Sequence, residues 1–160
     1  MDLNSIENIL IPRSRSEIPE LTERDAFLAG GTWLFSEPQP ALNRLVDLTN
    51  MNWAPLTLTA THLQVSATCK IAALAAFEPP HDWLAGPLIL KCCRALFGSF
   101  KIWNMATVGG NLCLGLPAGP MTALAIALHA TCIIWRPDGT DYTIPAVQFV
   151  TGPQQNALGP

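Results

Sequence analysis

The chain has 160 residues, of which 49% are hydrophobic and 13% charged, with nine basic against twelve acidic side chains and a net charge of −3. So much apolar content with so little net charge excludes a disordered chain, and the absence of a basic surplus excludes the usual electrostatic footprint of a nucleic-acid binder. The length suits one ordinary domain or two small lobes sharing a core, and so low a charged fraction suggests that part of the surface lies against something else.

The opening segment, MDLNSIENILIPRSRSE, has no continuous apolar run behind a basic start and does not read as a secretory signal. Pro12 and Pro19 limit any helix in this region to a short piece. Residues 25–29 (DAFLA) predict a short strand running into the tight turn Gly30-Gly31-Thr32, Pro38 and Pro40 mark a loop, and residues 44–48 (RLVDL) predict a second strand. These elements make up a small N-terminal lobe, residues 1–52. The rest, residues 53–160, has a different character. Residues 56–60 and 63–67 alternate apolar and polar, predicting a hairpin that turns at Thr61-His62 without glycine.

Residues 70–77 predict an alanine-rich helix stopped by Pro79-Pro80. Between 87 and 97, Ile89, Cys92, Cys93, Leu96 and Phe97 recur at helical spacing, with Lys91 and Arg94 opposite and Gly98 as a stop. Residues 102–135 contain no Asp, Glu, Lys or Arg. Glycines and prolines break the first half of that stretch, and the remaining apolar run, 121–135, is shorter than the ~20 residues needed to cross a bilayer, so no membrane span is expected. Residues 121–130 predict a helix with Pro120 in its first turn, buried on most sides because it carries no charge. Strands over 131–135 and 140–144 flank the turn Arg136-Pro137-Asp138-Gly139.

The five cysteines (Cys69, Cys92, Cys93, Cys113, Cys132) show no CxxC or framework spacing, which reads as reduced thiols in a cytoplasmic protein, with no metal or iron–sulfur site made by this chain alone. His62, His81 and His129 are far apart, and no paired carboxylates, nucleophile set, GxGxxG or GxxxxGK[ST] is present, so no catalytic residue is assigned. Two glycine segments remain. The first comprises Leu28, Ala29, Gly30, Gly31, Thr32, Trp33 and Leu34. A strand ending in paired glycines lets successive N–H groups converge and cradle a phosphate without a basic side chain, with Thr32 adding a hydroxyl; alone, the same pattern also reads as a plain turn. The second comprises Ala106, Thr107, Val108, Gly109, Gly110, Asn111 and Leu112. It lies in the uncharged stretch, so its buried backbone needs partners, either a bound phosphate or sugar or other loops of the chain. Trp33 and Trp103 adjoin these segments and either stack on a ring or pack in a core or interface.

Taken together and in order, LAGGTWL (residues 28–34), LVDL (45–48) and WNMATVGGNL (103–112) resemble the FAD-binding subunit of the molybdenum hydroxylases: the medium subunit of carbon monoxide dehydrogenase and the flavin domain of xanthine dehydrogenase. The resemblance implies an α+β, two-lobed FAD-binding fold of the vanillyl-alcohol oxidase and p-cresol methylhydroxylase type. A small βαβ-like N-terminal lobe would stand beside a larger lobe with mixed or antiparallel sheet and helices. It implies that FAD lies between the lobes, held by residues 28–34 and by Ala106, Thr107, Gly109, Gly110 and Asn111, with Leu158 near the chain end joining the set. The partners implied are a molybdopterin-binding large subunit, a [2Fe–2S] small subunit and an acceptor such as NAD or a quinone. The chain departs from the pattern at Trp33, at Trp103, and at Pro120, which stands where the family carries a cofactor-contacting aspartate. Family members also continue into a C-terminal subdomain, whereas this sequence stops at Gly159-Pro160. Two other readings follow from these departures: a non-catalytic assembly subunit that has lost FAD, or a molybdenum-independent flavin oxidoreductase of the same fold.

Overall fold

The computed structural model describes residues 3–158. Its N-terminal part is a parallel sheet of β1 (Asn8–Leu10), β2 (Asp25–Leu28) and β3 (Arg44–Asp47), in the order β1-β3-β2. Successive strand residues face opposite sides, and the adjacent Leu45 and Val46 of the central strand are both buried. The sequence had indicated β2 and β3 but not β1, whose three residues are too few to show a period. Parallel pairing makes the lobe βαβ-like, but turns occupy the place of the crossover helix: Phe35 N–H donates to Gly31 O at 2.9 Å and Ser36 N–H to Trp33 O at 2.9 Å. Pro38 and Pro40 prevent those turns from growing into a helix. Where β2 and β3 begin, Arg44 Nε donates to Asp25 Oδ1 at 2.8 Å, and this hydrogen bond leads in holding the Asp25 carboxyl down at about 2. After β3, a 3₁₀ turn (Leu48–Met51) is capped by Asp47, which accepts from Thr49 N–H, and ends at Asn52 in the left-handed region.

The expected hairpin follows as β4 (Leu56–Leu58) and β5 (Leu63–Val65). Its turn works without glycine because Thr59 Oγ1 accepts from His62 N–H at 3.0 Å while Thr59 N–H donates to His62 O at 2.9 Å. Five helices come next: α1 (Ile71–Ala75), α2 (Pro87–Ala95), α3 (Phe100–Met105), α4 (Val108–Leu114) and α5 (Pro120–Ala127). Their core joins Cys69, Ile71, Leu74, Ile89, Cys93, Ala106, Met121 and Leu124. Phe97, expected on the apolar face of α2, lies beyond the end of that helix and is fully exposed. The uncharged α5 is buried through Pro120, Met121 and Leu124 only; Ile126 and Leu128 are 39% and 37% exposed, because its neighbours α2, α4 and α6 (Ala146–Phe149) do not surround it.

The hairpin of β6 (Thr131–Trp135) and β7 (Asp141–Pro145) turns through Gly139 at φ +85°, and a small hairpin of β8 (Val150–Gly152) and β9 (Gln155–Asn156) closes the described chain. Arg15 ties the N-terminal part to β6 and β7, donating to Thr140 O at 2.6 Å with its guanidinium 4.7 Å from the Trp135 ring centre. Among the described residues all five cysteines are free and no helix is long and apolar enough to cross a membrane.

Candidate cofactor site

Leu28 is the last residue of β2, paired with Asp47, and the chain turns away immediately after it. Gly31 adopts φ +68°, and a Cβ there would stand 2.4 Å from the Phe35 ring, so glycine is required on both counts. Past the end of the ladder, the N–H groups of Gly30, Gly31, Thr32 and Trp33 meet no acceptor among the described residues. Three of these residues, Gly30, Gly31 and Thr32, line an open groove of about 280 Å³ together with Phe35, Ser36 and Met105. Ala29 and Leu34 flank the turn half-buried, and Trp33 is 40% exposed beside it. Gly30 is where the two glycine segments meet: a Cβ on it would stand 2.2 Å from Met105 O and 3.1 Å from Ala106 Cα.

The second segment is built differently. Ala106 and Thr107 are buried, and Thr107 forms a β-bridge with Lys70. Val108 N–H donates to Cys69 O at 2.9 Å, Gly109 N–H to Ala67 O at 3.0 Å, and Gly110 N–H to Thr107 Oγ1 at 3.1 Å. All three donors at the start of α4 are therefore paired within the chain, two to the backbone of residues 67–69 and one to the side chain of the helix's own cap, Thr107. Gly109 permits this packing, since its Cβ would stand 2.7 Å from Ala67 O, whereas Gly110 faces outward and a Cβ there would meet only Thr107 Oγ1 at 2.9 Å. Asn111 Oδ1 accepts from Met121 N–H at 3.0 Å and so caps α5.

The remaining candidates separate clearly. Trp103 is half-buried against the core and donates its indole N–H to Leu96 O at 3.3 Å. Leu158 is exposed and donates its N–H to Asn156 Oδ1; Asn156 in turn donates to Cys113 O, which places Leu158 toward the C-terminal half of α4 and outside the groove lining. Pro120 is buried in the first turn of α5.

Several groups were not singled out in the sequence. Phe35, Ser36 and Met105 line the groove because the turns of the crossover and the end of α3 bring them there. Lys70 is half-buried, with its ammonium donating to Met105 O at 3.1 Å; burial lowers its pKa and Asp47 opposes that shift. The available signal was its type and place, a cation at the cap position of α1, where short acceptor side chains are preferred. Burial also pushes the thiols of Cys69, Cys93 and Cys113 up to about 11. Among the described residues no group of three His, Cys, Asp or Glu side chains is placed to hold a metal ion.

A glycine turn with a row of unpaired amides, a largely apolar groove and a second lobe packed against the turn suit the middle of a dinucleotide, whose pyrophosphate needs donors rather than a basic side chain. These features define a dinucleotide-binding domain. The chain belongs to the family described as FAD binding domain in molybdopterin dehydrogenase, which it matches over residues 5–160, and FAD is its cofactor. The α+β fold agrees with solved structures. Reconstituted CO dehydrogenase from Oligotropha carboxidovorans matches with TM-score 0.84 and 26% identity over 100% of this chain and 57% of that one. Carbon monoxide dehydrogenase from Hydrogenophaga pseudoflava matches with TM-score 0.83 and 22% identity over 98% and 56%. Quinoline 2-oxidoreductase from Pseudomonas putida 86 matches with TM-score 0.77 and 22% identity over 98% and 56%. The chain thus spans a little over half the length of these relatives. No curated protein sequence matches it.

Proposed function

We propose that this chain is the FAD-binding, electron-transferring part of a molybdenum hydroxylase, an oxidoreductase, with residues 1–52 as one cofactor-facing lobe and residues 53–160 as the other. The observation that carries the reading is the row of free N–H groups from Gly30 to Trp33, set against Met105 and Ala106, in a chain of the FAD-binding family. In this reading those amides hold the pyrophosphate. Phe35 and Met105 keep water from one side of it, and Thr107 fixes the second segment by capping α4. Gly110 leaves room for the ligand, and Asn111 holds α5 in register behind it. A groove of about 280 Å³ is smaller than the ~300–1,000 Å³ pockets that enclose drug-sized ligands, so the chain grips the middle of an extended dinucleotide rather than engulfing it. FAD, when bound, supplies the redox chemistry, and the protein supplies position and electrostatics.

The kinship to carbon monoxide dehydrogenase supports partners of the same kind: a molybdopterin-binding large subunit and a [2Fe–2S] small subunit that deliver electrons, and an acceptor such as NAD or a quinone that takes them away. Free, unspaced cysteines support a cytoplasmic setting. The test is the visible absorption of the purified chain after incubation with FAD, with the released flavin identified by chromatography and copurifying subunits assayed for molybdopterin and iron. Oxidised-flavin bands with both partner subunits are the expected result. A chain that stays colourless overturns the reading in favour of an assembly subunit without flavin, to which Pro120 in place of the family's aspartate would then point. Flavin retained by a chain without molybdenum partners would assign it to a molybdenum-independent oxidoreductase.

A further inference from the structure

We propose that Lys70 supplies the counter-charge for the cofactor's pyrophosphate, acting across the Met105 carbonyl that separates it from the glycine turn; the proposal rests on the FAD reading above. The Lys70 ammonium donates to Met105 O at 3.1 Å, and that same oxygen stands 2.2 Å from the position of a Cβ on Gly30. The cation is therefore one carbonyl away from the turn whose amides are unpaired. The groove itself is lined by no charged side chain, so no cation on its wall faces a dianionic group placed there.

No ion pair in the free chain accounts for a cation in this place. Among the described residues, the two ion pairs join Arg15 to Asp141 and Arg44 to Asp25, and neither includes Lys70. Asp47 acts on it only through space, and burial disfavours its charge. It also occupies the cap position of α1 without capping it, where a short acceptor would hold the first turn. A half-buried cation with one carbonyl partner has unused donor capacity, and a pyrophosphate in the groove supplies the missing negative charge.

The test is titration of the purified chain with FAD, followed by flavin fluorescence, for the wild type, Lys70→Gln and Lys70→Met, at low and high sodium chloride. Gln keeps a hydrogen-bond donor without the charge. At the effective dielectric of a protein surface, loss of one unit charge near the pyrophosphate should weaken binding about ten- to thirtyfold in both variants. Added salt should weaken the wild type more than either variant. Unchanged affinity in Lys70→Met, recovery of affinity in Lys70→Gln, or equal salt dependence in all three would overturn the proposal while leaving the FAD reading intact. A wild-type chain that binds no FAD would instead remove the reading beneath it. Melting curves of the cofactor-free chains separate a lost charge from a lost fold: the variants should melt close to the wild type, and a large fall matched by an equal loss of affinity would assign Lys70 a packing role instead.

Discussion

Replacing Gly30 by alanine probes the seam between the two glycine segments. The new methyl carbon would stand 2.2 Å from Met105 O and 2.9 Å from Met105 C, both backbone atoms that no rotamer change can move. Overpacking of a close-packed site costs about 1–3 kcal/mol, and a rigid backbone neighbour places this site toward the upper end. Alanine regains about 0.4–1 kcal/mol by restricting the unfolded chain, because Gly30 lies outside the left-handed region that would add strain. The net expectation is a loss of about 2 kcal/mol, or a fall in Tm of about 4–8 °C for a chain of this size. Calorimetry of the cofactor-free chain measures it, with Gly139→Ala as the comparison: nothing lies within 4 Å of a Cβ there, so its cost comes from the backbone at φ +85° alone. FAD affinity should fall as well, because the segments must part to admit the methyl. A Gly30→Ala chain that melts within about 1 °C of the wild type would refute the close approach and, with it, the joint construction of the site.

Trp33→Ala should lower Tm little, since the side chain is 40% exposed, while weakening FAD binding if the indole stacks on a ring of the cofactor; equal losses of stability and affinity would sink the stacking role. Asp25 is held at about 2 chiefly by its hydrogen bond to Arg44, below its ordinary 3.8. A lowered folded-state value stabilises the fold above pH 3.8 and is lost as pH falls toward 2, so Asp25→Asn should flatten the stability profile in that window, measured by chemical unfolding at stepped pH. Cys69 and Cys93, fully buried with thiols pushed up to about 11, should resist a disulfide reagent at pH 8 in the folded chain and react once denaturant is added.

Local chemistry made much of the fold legible. The glycine pair after DAFLA, the RPDG turn and the helical spacing of Ile89, Cys92 and Cys93 each produced the element they indicate. Periodicity failed where elements are short or their burial is set from outside. Three residues of β1 cannot show a period, and α3 and α4 lie in a stretch where glycine and apolar side chains hide the helical rhythm. The first glycine segment was readable as a tight turn because glycine's part there is conformational. For the second, the sequence left ligand and loop partners both open; its amides at Val108 and Gly109 are paired to Cys69 and Ala67, a matter of tertiary approach that no local pattern shows. Lys70 stayed hidden for the same reason: its meaning lies in a carbonyl 35 residues away.

The contrast between the two segments bears on how long the chain survives. One has its donors saturated before any ligand arrives; the other leaves its amides without acceptors among the described residues, in a turn that exists only when the fold is intact. A ligand that caps them stabilises the native state by mass action, about 2.7 kcal/mol when its free concentration is a hundred times Kd. Where flavin is scarce that increment disappears, and the unfolded population open to proteolysis rises by about two orders of magnitude. The steady-state amount of the protein would thus track the flavin supply, with no dedicated regulator.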